Sequence, residues 1–137
     1  MKRIVVGYDG SEPARRALDR VVELATGKPD VAVTVVTASP APPFGPAVLG
    51  DPDAEPAAEL KGTLAEAKQL LGERGVAAHT VDAIGDPTSA ILQAAERVGA
   101  DLVVVGTRGR NVLARALLGS VSTQVIHQAS CDVLLVR

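Results

Sequence analysis

The chain has 137 residues, 47% of them hydrophobic but only 1% aromatic, and carries a formal net charge of −2. That length suits one domain over residues 1–137, able to bury roughly two-thirds of its unfolded surface around an aliphatic core. Tyr8 and Phe44 are the only aromatic residues, which excludes stacking platforms for single-stranded nucleic acid or a flavin, and the charge offers duplex DNA no basic field.

Cys131 is a lone cysteine, so no intramolecular disulfide forms, in keeping with a reducing compartment. The apolar run after Met1-Lys2-Arg3 stops at Gly7, far short of a secretory h-region, and no later run approaches a membrane span. The expectation is a soluble cytoplasmic protein with neither nucleic acid nor membrane as partner.

Strand and helix signals alternate along the chain. Ile4-Val5-Val6-Gly7-Tyr8 reads as a strand closed by the turn dipeptide Asp9-Gly10. Ser11 can cap a helix and Pro13 fits its first turn. Ala14, Ala17, Leu18, Val21, Val22 and Ala25 then recur at helical spacing, opposite Arg15, Arg16, Asp19 and Glu23. Val31 to Thr37 is a second strand, apolar enough for burial on both faces. From 39 to 56 the chain holds six of its nine prolines and reads as a loop. Leu60, Leu64, Ala67 and Leu71 mark a second helix that ends near Gly72 to Gly75. Val76 to Ile84 reads as a third strand, and Asp86-Pro87 starts a third helix carrying Ile91, Ala94, Ala95 and Val98. Leu102 to Val105 is the most apolar strand. A last helix over Ser120 to Gln128 precedes a closing strand, Val133 to Val136. Five strands alternating with four helices predict an α/β fold with a doubly wound parallel sheet.

Ligands of such sheets bind at the carboxyl ends of the strands, where the winding reverses. In the common order 3-2-1-4-5 the first strand lies beside the fourth. Tyr8-Asp9-Gly10-Ser11 then meets the glycine loop that starts at Gly106. Gly106 and Gly109 let backbone approach a ligand without Cβ atoms in the way. Gly119-Ser120 opens the last helix, whose first-turn N–H groups and dipole suit phosphate, and the hydroxyls of Ser120 and Ser122 can add donors. Arg108 and Arg110 can place positive charge at the mouth. A Walker loop is ruled out, because the sole Gly-Lys pair, Gly27-Lys28, runs into Pro29. Gly7-Tyr8-Asp9-Gly10 lacks the three close glycines of a dinucleotide fingerprint.

The spacing Gly106-x2-Gly109-x9-Gly119-Ser120 resembles the nucleotide loop of the universal stress protein family, in its ATP-binding branch. The likeness spans the chain. Ile4-Val5-Val6-Gly7-Tyr8-Asp9-Gly10-Ser11 resembles the family's first strand and acidic turn. Val103-Val104-Val105-Gly106-Thr107-Arg108-Gly109 is similar to its fourth strand, and Cys131-Asp132-Val133-Leu134-Leu135-Val136 to its last. Ser130 and Asp132 stand where the family often has proline. The resemblance implies an adenine nucleotide, ATP above all, with Mg2+ on its phosphates. It implies that Gly106, Gly109, Gly119, Ser120 and Ser122 line those phosphates, with Thr107, Arg108, Arg110 and Val121 completing the set. Gly7 and Asp9 would lie near the ribose and adenine, and the backbone at Ala38 beside the base. A carboxylate at Asp9 repels phosphate but accepts hydrogen bonds from ribose hydroxyls or an amino group.

The role implied is a stress-linked regulator that carries ATP. A slow ATPase is the enzymatic alternative, although hydrolysis wants a base and the glycine loop holds no carboxylate. A receiver-like phosphoacceptor shares the topology, yet Asp9 stands alone after the first strand. The final strand, Val133 to Val136, leaves an edge to cover, and pairing with a second copy across a two-fold axis would make a homodimer, as the resemblance also implies.

Overall fold

A computed structural model describes residues 2–39, 57–107 and 119–137, and for 57–62 the backbone alone. Nearly all of the Pro-rich stretch 39–56 lies outside the described residues, as do Arg108, Gly109, Arg110 and the apolar run Val112 to Leu118. The elements in chain order are β1 (Arg3–Gly7), α1 (Glu12–Ala25), β2 (Ala32–Ser39), α2 (Ala57–Glu73), β3 (Ala78–Ile84), α3 (Pro87–Val98), β4 (Leu102–Gly106), α4 (Ser120–Gln128) and β5 (Asp132–Val136). All strands are parallel, in the order β3-β2-β1-β4-β5. The predicted topology is the observed one.

Each helix carries the chain back to the start of the next strand, so both sheet faces are covered. On one face Ile4, Val6 and Tyr8 pack with Leu18 and Val21 of α1 and Leu64, Ala67 and Leu71 of α2. On the other, Val5, Val36, Val103 and Val105 pack with Ile91 and Ala94 of α3 and Val125 of α4. The strict alternation along β1 follows from the two-residue period of a strand. α1 buries the six residues its periodicity picked out, Ala14 to Ala25.

Two strand boundaries differ from expectation by two residues, the others by one at most. β2 runs on to Ser39, because Ser39 still accepts the N–H of Gly85 at 2.7 Å. β3 begins at Ala78 rather than Val76. The backbone turns at Gly75 (φ 78°), and the Val76 N–H returns to the Leu71 carbonyl at 2.9 Å. Val76 therefore buries its side chain beneath the end of α2. Its hydrophobicity belongs to the core and not to the strand.

Candidate functional site

The switch in winding falls at β1, which has β2 on one side and β4 on the other. Three segments converge on the carboxyl edge there: the turn after β1, the end of β2, and the link from β4 to α4.

Gly106 ends β4, and its glycine character has a packing cause. A Cβ there would stand 2.8 Å from the Pro13 Cβ, 2.9 Å from the Pro13 carbonyl carbon and 3.1 Å from the Ala14 nitrogen. The first turn of α1 crosses Gly106 too closely for any side chain. Gly7 has a similar cause on the opposite face, where a Cβ would meet the Ile91 Cδ1 at 2.7 Å. Helix packing alone thus requires glycine at both positions, a cause that the sequence reading did not foresee.

Thr107 closes the neck of the glycine loop. Its N–H donates to the Val136 carbonyl at 2.8 Å, and its own carbonyl accepts the Gly119 N–H at 2.6 Å. Ser122 adds to this clamp, its hydroxyl lying 3.0 Å from the carbonyls of both Thr107 and Gly119. Ser122 is buried and its single proton is committed to backbone. It was expected to donate to phosphate and instead fastens the loop. Thr123 also donates its hydroxyl to the Gly119 carbonyl at 2.9 Å.

The helix starts are finished differently. Ser11 caps α1, accepting the Ala14 N–H at 3.3 Å, with acidic Glu12 next. Asp86 caps α3, accepting the Ser89 N–H at 2.9 Å. α4 is capped by Gly119, with no side-chain hydrogen bond and no acidic residue in its first turn. Ser120 is thus the first helical residue, exposed, and not the cap. The N–H groups of Ser120, Val121 and Ser122 belong to a first turn that has no intrahelical acceptors for them, and the dipole makes that end positive.

After β1, the Tyr8 N–H donates to the Val36 carbonyl at 2.9 Å, and the Tyr8 carbonyl accepts the buried Thr37 hydroxyl at 2.8 Å. These bonds set the turn in which Asp9 Oδ1 accepts the Ser11 N–H at 2.9 Å and Gly10 takes a left-handed φ of 81°. Gly7 pairs with Val36 in register, which puts Ala38 level with Asp9. Val36 turns its carbonyl to β1, and Ser39 turns its carbonyl to Gly85 on the β3 side. Alternation along the strand therefore aims the N–H and carbonyl of Ala38 towards β1, at the level where β1 has ended.

Two features escaped the sequence reading. The Tyr8 ring is buried on the α1–α2 face, and its hydroxyl donates to Glu66 Oε1 at 2.8 Å. Arg15 Nη2 reaches the same oxygen at 2.9 Å. Burial, and then the Glu66 bond, push the Tyr8 hydroxyl above its ordinary pKa of 10.0. The second is Thr88, in the first turn of α3, which is 2% exposed and whose Oγ1 has no hydrogen-bond partner. Away from the crevice, His79 is exposed on β3 and His127 sits in the last turn of α4. Cys131 is half-buried, and burial raises its thiol pKa above the usual value, with Asp132 and Asp101 adding to the effect.

A five-stranded parallel sheet with this order and a crevice at its switch point defines the class: a doubly wound α/β protein. A model of the universal stress protein family matches residues 1–137. A universal stress protein of Thermus aquaticus is 38% identical over 143 residues, covering 99% of this chain and 98% of the relative. The crystal structure of a universal stress protein in complex with cAMP superposes with a TM-score of 0.75 at 31% identity, covering 99% of this chain and 96% of the other. The universal stress protein from Archaeoglobus fulgidus in complex with dAMP gives a TM-score of 0.75 at 28% identity, covering 100% and 98%. The chain belongs to the universal stress protein family.

Proposed function

We propose that this chain binds an adenine nucleotide at the carboxyl edge of β1, β2 and β4 and acts by carrying it, as a regulator in a stress response. The observation that carries the reading is the unshielded start of α4. Of the three helices whose caps are described, it alone has no side-chain cap, and it lies directly after the closed neck of the glycine loop. Backbone N–H groups and helix dipole there favour phosphate oxygens. The backbone at Ala38 offers one donor and one acceptor side by side, which matches the ring nitrogen and amino group on one edge of adenine. Asp9, between them, suits ribose hydroxyls. Gly109, Arg108 and Arg110 would meet the phosphates from the loop, and Mg2+ would ride on a triphosphate. The relatives in complex with cAMP and dAMP support the choice of adenine.

The expected ligand is ATP. Titration calorimetry with ATP, AMP and cAMP, with and without Mg2+, tests the reading, as does ion-exchange chromatography of nucleotide released from the purified protein by heat. Saturable heat at one site per chain is expected. Absence of both heat and released nucleotide would refute the function.

A further inference from the structure

With Gly119 as the cap of α4, Ser122 is the third helical residue. A polar side chain at that position ordinarily reaches back to the N–H of the cap. In this chain the Gly119 N–H is already taken, donated to the Thr107 carbonyl at 2.6 Å. The Ser122 hydroxyl turns to carbonyls instead and lies 3.0 Å from those of Thr107 and Gly119 alike. Thr123 likewise donates its hydroxyl to the Gly119 carbonyl at 2.9 Å. Both hydroxyls are spent on acceptors, so neither covers the N–H groups of Ser120, Val121 and Ser122.

The same bonds decide where those N–H groups stand. Val125 seats the body of α4 in the core, and Thr107 seats its first turn. The Thr107 carbonyl accepts two donors from the helix start, the Gly119 N–H and the Ser122 hydroxyl. Thr107 is itself fixed to the sheet, because its N–H donates to the Val136 carbonyl at the end of β5. A first turn held by one bond can swing about it. Two bonds, from residues almost a full helical turn apart, set its direction as well as its distance.

We infer that Ser122 is a positioning residue of the phosphate site: its buried hydroxyl pins the start of α4 to Thr107 and so aims the uncovered N–H groups. The inference rests on the nucleotide reading above. Donors already held in place spare a ligand the cost of ordering them. Phosphate oxygens draw on those donors, whereas a nucleoside without phosphate does not. The contribution of Ser122 therefore follows the phosphate and leaves base and sugar alone.

Ser122→Ala removes the second bond to Thr107, and Ser122→Thr keeps the hydroxyl. AMP is titrated by calorimetry, and adenosine at millimolar concentration is read by its displacement of AMP. For Ser122→Ala, AMP affinity should fall by about three- to tenfold, the scale of one hydrogen bond. Adenosine affinity should not change, and Ser122→Thr should bind AMP as the parent does. In ligand-free Ser122→Ala, hydrogen exchange of the Gly119 amide should quicken by more than that of the β1 amides, which report the whole fold. Unchanged AMP binding, an equal loss for adenosine, or exchange at Gly119 that quickens no more than in β1 overturns the positioning role. So does a Ser122→Thr variant that melts like the parent yet binds AMP as weakly as Ser122→Ala. A parent protein that binds neither AMP nor ATP overturns the nucleotide reading itself, a different result from any of these.

Discussion

Single residues at this edge carry more than one constraint, and the glycines show how the constraints rank. At Gly106 the obstacle to a Cβ is backbone and ring of Pro13 and Ala14, which cannot move without shifting α1. At Gly7 it is the far end of Ile91, which can rotate. Gly106→Ala is therefore expected to destabilise the fold by about 1–3 kcal/mol, the usual cost of overpacking. Gly7→Ala should cost less, and urea midpoints of the two variants against the parent measure the difference. Equal costs would mean that α1 yields as readily as a side chain. Glycine after an apolar strand is visible in the sequence, but its reason is not. The crossing of α1 over Gly106 joins residues far apart in the chain, and no local spacing encodes it. Ser122 teaches the same lesson. A serine near a helix start reads as a donor to a ligand, and only the approach of the Thr107 carbonyl shows where its proton goes.

Among the elements, α1 was fully legible because its buried face follows one periodicity from Ala14 to Ala25. What ties α1 to α2 was not. Tyr8 and Arg15 meet at Glu66, 58 and 51 residues away, and the tie exists only once both helices lie on one sheet face. Tyr8→Phe should cost about 0.5–1.5 kcal/mol for the lost hydrogen bond. The tie also has a pH signature. The folded-state pKa of Tyr8 lies above the unfolded value of 10.0, so the fold prefers the protonated phenol. Its contribution is complete below pH 10.0 and is lost as pH rises through the folded-state pKa. The chain has one tyrosine and no tryptophan, so tyrosinate absorbance titrates Tyr8 alone. The native protein should ionise at higher pH than the urea-unfolded chain, and Tyr8→Phe should lose less stability than the parent in that alkaline range. Coincident titrations of native and unfolded protein would show that Glu66 and burial exert no hold on the phenol.

At the scale of the whole molecule, the parallel sheet has two outer strands, β3 and β5, and their surfaces differ. Along its length β3 exposes His79, Thr80 and Asp82, polar and charged residues that discourage strand pairing, with Ile84 exposed only at its end. β5 presents Val133, Leu134 and Leu135, each only partly buried. The alternation of strands and helices was enough to predict a parallel doubly wound sheet, while its order came from the orders common to that fold class. It says nothing of what lies beyond β5, since pairing between copies leaves no trace in periodicity. We propose a homodimer formed by β5 meeting its own copy. The Val136 carbonyl accepts the Thr107 N–H, so the polar backbone groups of Val136 and Leu134 face β4, and those of Val133 and Leu135 face outward. Leu135→Pro therefore removes an outward N–H while leaving the ladder to β4 intact, and an outer strand tolerates proline there. Light scattering at micromolar concentration should give the mass of two chains for the parent and of one for Leu135→Pro, with the helical circular dichroism unchanged. A parent with the mass of one chain, or a Leu135→Pro variant that stays folded with the mass of two, rules out pairing through β5.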